Sequence, residues 1–210
     1  MKTEKNQYKI GKEMIDKQKM LEIKALKTFK GMEGMGVNCN MYLNGKKIGE
    51  IIDEGNGGCL NITYFGAWNQ SQKERDNWNE VREATIDRFL SDLPTYTNKE
   101  MGWDFNEDQV NKWDEESLWN HLITMAIAKR DFKKDMKKIQ VIDNDGKLCY
   151  YKAFTSRDLH KPYKNKAGEI VPLQKLLKED HGCKKILNLL PESESFDIWF
   201  GIVYSGWKKY

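Results

Sequence analysis

Residues Gly31–Phe65, GMEGMGVNCNMYLNGKKIGEIIDEGNGGCLNITYF, decide the fold class. Val37 to Leu43 reads as a strand and Ile48 to Ile52 as its return, while Leu60, Ile62 and Tyr64 alternate as a third run. Asn44-Gly45 sits between the first two. A type I′ hairpin turn needs positive φ at both central residues, and Asn-Gly is the pair that accepts this at least cost. The glycine-dense loop Asp53–Gly58 then links the second run to the third. Upstream, Leu21, Ile23 and Ala25 alternate with Glu22 and Lys24, which predicts a further strand ending near Phe29. The N-terminal third is therefore an antiparallel meander.

Two helices follow in the pattern. Trp78, Val81, Thr85, Ile86, Phe89, Leu90 and Leu93 recur at three- and four-residue steps before Pro94. Leu118, Leu122, Met125, Ala126, Lys129, Phe132 and Met136 mark the second helix. Asp114, Glu115 and Glu116 precede it and Lys133, Lys134, Lys137 and Lys138 end it, a polarity that complements the helix dipole. An aromatic linker with Tyr96, Trp103, Phe105 and Trp113 lies between the two. Ile139–Ile142 and Leu148–Tyr151 flank Asp143-Asn144-Asp145-Gly146 as a second hairpin. Beyond Thr155 the pattern is less regular. Leu173, Leu176 and Leu177 predict a short helix after Pro172, Ile186–Leu190 a buried segment, and Ile198–Tyr204 a last strand or a short helix. Strands, then helices, then strands define an α+β fold, with a mainly antiparallel sheet packed by two amphipathic helices. Length suits a single domain over residues 1–210, in which residues 1–20 form a basic arm or marginal helix.

Composition narrows the classes. Charged residues make up 32% and mean hydropathy is −0.78, yet seven Trp, nine Tyr and eight Phe are too many for a disordered chain. No apolar run approaches a membrane span, and no signal peptide follows Met1-Lys2-Thr3-Glu4-Lys5. The expected setting is cytoplasmic and reducing, with Cys39, Cys59, Cys149 and Cys183 as thiols. Cys39 and Cys59 read as core residues facing each other across the meander. Charge is segregated: residues 1–31 carry a net +5, residues 32–128 a net −9 and residues 129–210 a net +7. Such segregation steers charged partners when folding keeps the blocks apart.

Motifs for chemistry are sparse. Asp53–Gly58 has the glycines of an anion-binding nest but no following Lys-Ser/Thr, and its acids repel phosphate, so a bulged turn accounts for it. A calcium loop begun at Asp143 would close on Phe154, which cannot coordinate. His160, His181 and Cys183 lack the paired spacing of a zinc site, and His121 reads as a packed helical residue. Ser205-Gly206 lacks the flanking glycine of a nucleophile elbow. No catalytic residue, metal ligand or cofactor is assigned, and the reading leans away from an enzyme.

The best binding candidate is Lys152–Lys166, KAFTSRDLHKPYKNK. Lys152, Arg157, His160, Lys161, Lys164 and Lys166 interleave with Phe154 and Tyr163. Cations pair with phosphate oxygens while a ring offers a face on which a base stacks. Trp207-Lys208-Lys209-Tyr210 has the same character. The expected ligand-binding set is Lys152, Arg157, His160, Lys161, Tyr163, Lys164 and Lys166.

Phe29–Gly58, FKGMEGMGVNCNMYLNGKKIGEIIDEGNGG, resembles a loose group of small phage and prophage proteins. In these a glycine-rich lead-in, a strand, a Gly-Lys-Lys hairpin and an Asp-x-Gly-Asn-Gly-Gly loop recur. The resemblance implies a phage-encoded accessory protein in the host cytoplasm, one that blunts host defence. It would do so by binding a host defence protein or by sequestering a phosphorylated nucleotide signal. Nucleic-acid binding, or a metal-dependent nuclease or phosphodiesterase, are the alternatives. At pI ≈ 8.5 the chain falls short of strongly basic nucleic-acid-binding domains.

Overall fold

The computed structural model describes residues 21–64, 71–91, 93, 95–101, 106–179 and 181–204. The basic arm expected over residues 1–20, Trp103, Phe105, Ser205-Gly206 and the Trp207–Tyr210 tail lie outside them. Packing groups the chain into two compact units, Met1–Ile127 and Ala128–Tyr210.

The first unit holds the meander. Strands β1 (Leu21–Lys30), β2 (Met35–Leu43), β3 (Lys46–Asp53) and β4 (Asn61–Tyr64) form one antiparallel sheet in that order. Asn44 and Gly45 take φ of 50° and 77°, as the hairpin demanded. Val37, Cys39 and Met41 of β2 are buried on one face, the period-two pattern of a half-covered sheet. In β3 the register slips beside Met41 and leaves Ile48 as a bulge, so Ile48 and Ile51 both reach the core.

A second bulge corrects the expected phase of β1. The register shifts between Lys24 and Lys27, Ala25 adopts φ 52° and is exposed, and Leu26 packs on the core instead. Cys59 is corrected too. It lies exposed ahead of β4, and the strand partner of buried Cys39 is Ile51.

Helix α1 (Gln72–Ser91) buries Ile86. The aromatic linker contains a short ladder, β5 (Tyr96–Thr97) with β6 (Val110–Asn111), and a single-turn helix α2 (Asn98–Met101). Tyr96 and Trp113 are buried with ring centroids 4.8 Å apart. Helix α3 (Glu115–Asp135) starts where Asp114 accepts the Ser117 amide at 2.7 Å, an N-cap bond. Leu118, Trp119, Leu122, Ile123 and Ile127 of α3 pack into the sheet's core. Edge strand β4 is clipped to this helix: Glu115 accepts the Tyr64 hydroxyl, Glu116 accepts the Leu60 amide at 3.0 Å, and the Trp119 indole donates to Tyr64 Oη at 3.2 Å.

In the second unit, β7 (Lys138–Ile142) runs between β8 (Leu148–Thr155) and β11 (Lys185–Ile186). A hairpin not foreseen in the sequence, β9 (Pro162–Lys164) with β10 (Ile170–Pro172), leads into helix α4 (Leu173–Glu179). Ile139, Val141, Leu159, Leu173, Leu177, Cys183 and Ile186 form the core here. Of the segment Ile186–Leu190 expected to be buried, only Ile186 and Leu187 are; Leu187 opens a 3-10 turn that ends at Leu189, which is exposed. The last segment resolves as a helix, α5 (Glu192–Val203), begun after Pro191 and packing Trp199 and Phe196 edge-on against Phe132.

Candidate functional site

The Lys152–Lys166 stretch is an ordered structure. Lys152 lies on β8; a 3-10 turn, Ser156–Asp158, carries Arg157; Tyr163 and Lys164 lie on β9. The segment is pinned from beneath. Leu159 is buried, the Leu173 amide donates to the Lys161 carbonyl at 2.9 Å, and the Gln174 amide donates to the Leu159 carbonyl at 3.0 Å. The β9–β10 turn is closed by Asn165, whose Oδ1 accepts the Glu169 amide at 2.8 Å. Burying the apolar residues between the cations turns the charged ones outward: Lys152, Arg157, His160, Lys161, Lys164 and Lys166 are all exposed.

Lys161 and His160 are among the groups already engaged. Asp158 Oδ1 lies 2.6 Å from the Lys161 ammonium, while Oδ2 accepts the Thr155 amide and hydroxyl at 2.8 and 2.9 Å. The Lys161 bond and then the Thr155 bonds hold the Asp158 carboxyl down at about 2. The same pairing raises Lys161. The His160 ring Nδ1 sits 3.4 Å from the Gln174 side-chain amide. Lys152, Arg157 and Lys164 have no carboxylate partner among the described residues.

The two rings expected to offer stacking faces pack on each other. Phe154 and Tyr163 are half-buried against the core of this unit and meet edge-to-face at 5.3 Å. The cations are thus gathered along one chain segment, while the aromatic pair is turned toward the interior.

Further cations flank the set. Lys129, Arg130, Lys133, Lys134, Lys137 and Lys138 are exposed at the end of α3 and the start of β7. The Lys138 ammonium stands 4.7 Å over the ring of half-exposed Tyr150. Tyr150 belongs to no charged run, so a search for cations in the sequence passes over it; the alternation within β8 is its only sequence signal.

His181 and Cys183 both meet Tyr151: the His181 ring lies 6.0 Å from its ring, and the Tyr151 hydroxyl 3.4 Å from the Cys183 sulfur. Burial, then the Cys183 contact, pushes the Tyr151 phenol up. Among the described residues no three His, Cys, Asp or Glu side chains gather in a way that holds a metal. His121 is buried edge-on to Trp113 at 5.9 Å. An open depression of about 640 Å³ in the first unit is lined by Thr28–Met35, with exposed Phe29, Met32 and Met35 along it.

No helix among the described residues is long and apolar enough to cross a membrane. Comparison of the chain with protein-family models, with curated proteins and with solved structures returned no match.

Proposed function

We propose that this α+β protein is a binding protein whose second unit engages an anionic partner through the exposed cations of Lys152–Lys166. The observation that carries the reading is the position of Lys152, Arg157 and Lys164, three exposed cations without a carboxylate partner among the described residues on one pinned segment. The second unit carries eighteen Lys and Arg against eleven acids, so the surrounding field adds to the local one. In the phage-type setting that the resemblance implies, the partner is a host defence component, either an acidic surface of a defence protein or a phosphorylated nucleotide. The protein surface is the better fit. A stacked nucleotide asks for an open ring face, and Phe154 and Tyr163 are turned onto each other.

The test is a triple charge reversal, Lys152→Glu, Arg157→Glu and Lys164→Glu, compared with the parent protein. Parent protein should retain a host protein in pull-downs, and the reversed variant should lose it. Incubation with cyclic nucleotides followed by denaturation and mass spectrometry reports the nucleotide alternative. A gel shift that weakens steeply with salt reports nucleic acid. Equal behaviour of parent and variant in all three assays would remove the reading. Hydrolysis of a nucleic acid or phosphodiester abolished by chelation would replace it with the metal-dependent enzyme.

A further inference from the structure

We infer that the outer edge of β8 takes up an extended acidic peptide as an added strand. This deepens the proposed function and rests on it, naming the partner chemistry at one end of the same cationic segment.

The first argument is the direction of the backbone. β8 is the terminal strand of the order β11-β7-β8. The Asp143 amide donates to the Lys147 carbonyl at 3.0 Å, the Gly146 amide to the Asp143 carbonyl at 3.1 Å, and Gly146 has φ 81°. That is a hairpin loop closed by a glycine bulge, with Asp143 and Lys147 as a hydrogen-bonded pair. Antiparallel pairs alternate, so Val141/Cys149 and Ile139/Tyr151 are hydrogen-bonded in turn. Leu148 and Tyr150 then aim their N–H and C=O groups away from β7, at the outer edge. Cys149, Tyr150, Lys152 and Ala153 are exposed along it.

The second argument is the composition of the edge. Natural edge strands are blunted by brevity, proline, charges or bulges. β8, LCYYKAFT, has no proline and Lys152 as its one charge; its register shifts between the Tyr151 and Thr155 pairs, so the regular open edge is Leu148–Tyr151.

The third argument selects the occupant. Lys152 lies on the edge, Arg157 just beyond it, and Lys138 over the Tyr150 ring. Of the nearby carboxylates, Asp158 is held by Lys161 and Thr155, and Asp143 accepts the Lys147 amide at 2.8 Å and the Cys149 thiol at 3.7 Å, while Asp145 stands exposed in the β7–β8 turn. A second copy of β8 would bring another cationic unit of net +7 against this one. An acidic strand meets the opposite field. In strand addition, main-chain bonds supply affinity and alternate side chains supply register.

The experiment uses the full chain and a dye-labelled peptide of alternating valine and glutamate, followed by fluorescence anisotropy. Binding is expected, with slowed hydrogen exchange at the Leu148 and Tyr150 amides. Lys152→Glu should weaken it about tenfold. Methylating the peptide amides that face β8 should abolish it without touching the protein. Failure to bind, equal binding of a lysine-for-glutamate peptide, or binding that survives methylation would each overturn the strand addition. Survival of binding after methylation, with loss on charge reversal, would leave the cationic-surface reading standing. That broader reading fails separately, through the triple variant.

Discussion

The amide of Glu33 donates to the carbonyl of Gly55 at 2.8 Å, joining the β1–β2 turn to the loop between β3 and β4. The two glycine-rich segments of the sequence are thus one structure at the end of the first sheet. Gly55 has φ 67°, and its Asp53-bonded amide fixes the turn at 2.8 Å. A Cβ there would lie 2.7 Å from the Gly36 nitrogen and 3.0 Å from the Met35 carbonyl carbon. Gly55→Ala therefore combines a strained φ with a backbone clash, and should cost about 3 kcal/mol. Gly45 shares the positive φ, but nothing lies within 4 Å of its Cβ position, so Gly45→Ala isolates the strain at about 1 kcal/mol. Gly34→Ala meets nothing and should fall within about 0.5 kcal/mol of the parent. Equilibrium denaturation of the three variants orders them; equal losses at Gly55 and Gly45 would refute the docked-loop geometry.

Acid should loosen the turn that presents Arg157. The folded pKa of Asp158, about 2, lies below the ordinary carboxylate value of about 3.9. Its stabilising contribution is complete above that value and disappears as pH falls through 2. The Thr155 amide, which donates to this carboxylate, should titrate with a midpoint near 2 by NMR. In Asp158→Asn that titration should vanish. A midpoint near 4 in the parent protein would mean that the Lys161 pairing does not form in solution.

Much of this fold is readable from residues with a local backbone demand. Asn44-Gly45 and Gly146 announce their hairpins because few other residues accept positive φ. The acidic start and basic finish of α3 announce its ends. Ala25 misleads, because a bulge is decided by pairing with β2, and a small apolar residue fits either face. β9–β10 stays hidden behind Pro162 and a lysine-rich turn that reads as loop. Ile198–Tyr204 is apolar all round, so its period is ambiguous, and the helix start at Glu192 after Pro191 is the better signal. At the candidate site, clustering of cations follows from the chain itself. The inward turn of Phe154 and Tyr163 does not, because it depends on the core they share with Leu173 and Leu177.

The four thiols should separate cleanly by reactivity. Burial pushes the Cys39 thiol up to about 11, and Cys183 is buried beneath Tyr151. Cys59 and Cys149 are exposed. Local desolvation and the Asp143 carboxylate raise Cys149, which suppresses the reactive thiolate there. Timed alkylation near pH 8 read by mass spectrometry should modify Cys59 first, Cys149 second, and Cys39 and Cys183 only on unfolding. Early modification of Cys39 would contradict its place in the first core.

Asn188 closes the passage from α3 into β7, and its removal should be the most damaging polar substitution in the second unit. Its Nδ2 donates to the Met136 carbonyl at 2.9 Å and the Lys138 carbonyl at 3.0 Å, while its Oδ1 accepts the Gln140 amide at 2.8 Å. The last carbonyls of a helix have no partner within it, and here a side chain from a distant 3-10 turn supplies one. Gln140 adds to this by donating to the Asp135 carbonyl at 2.9 Å. Asn188→Ala removes three hydrogen bonds, two of them part-buried and the one to Lys138 exposed, and should cost about 2 kcal/mol. Asn188→Asp keeps the acceptor for Gln140 but turns both donors into a carboxylate facing two carbonyls, so it should be at least as destabilising at neutral pH. Lowering the pH should partly rescue the Asp variant, since protonation restores one donor, and should leave the Ala variant unchanged relative to the parent. Denaturant midpoints at pH 7 and pH 4.5 measure both; a milder loss for Asp than for Ala at pH 7 would show that the two carbonyl contacts contribute little.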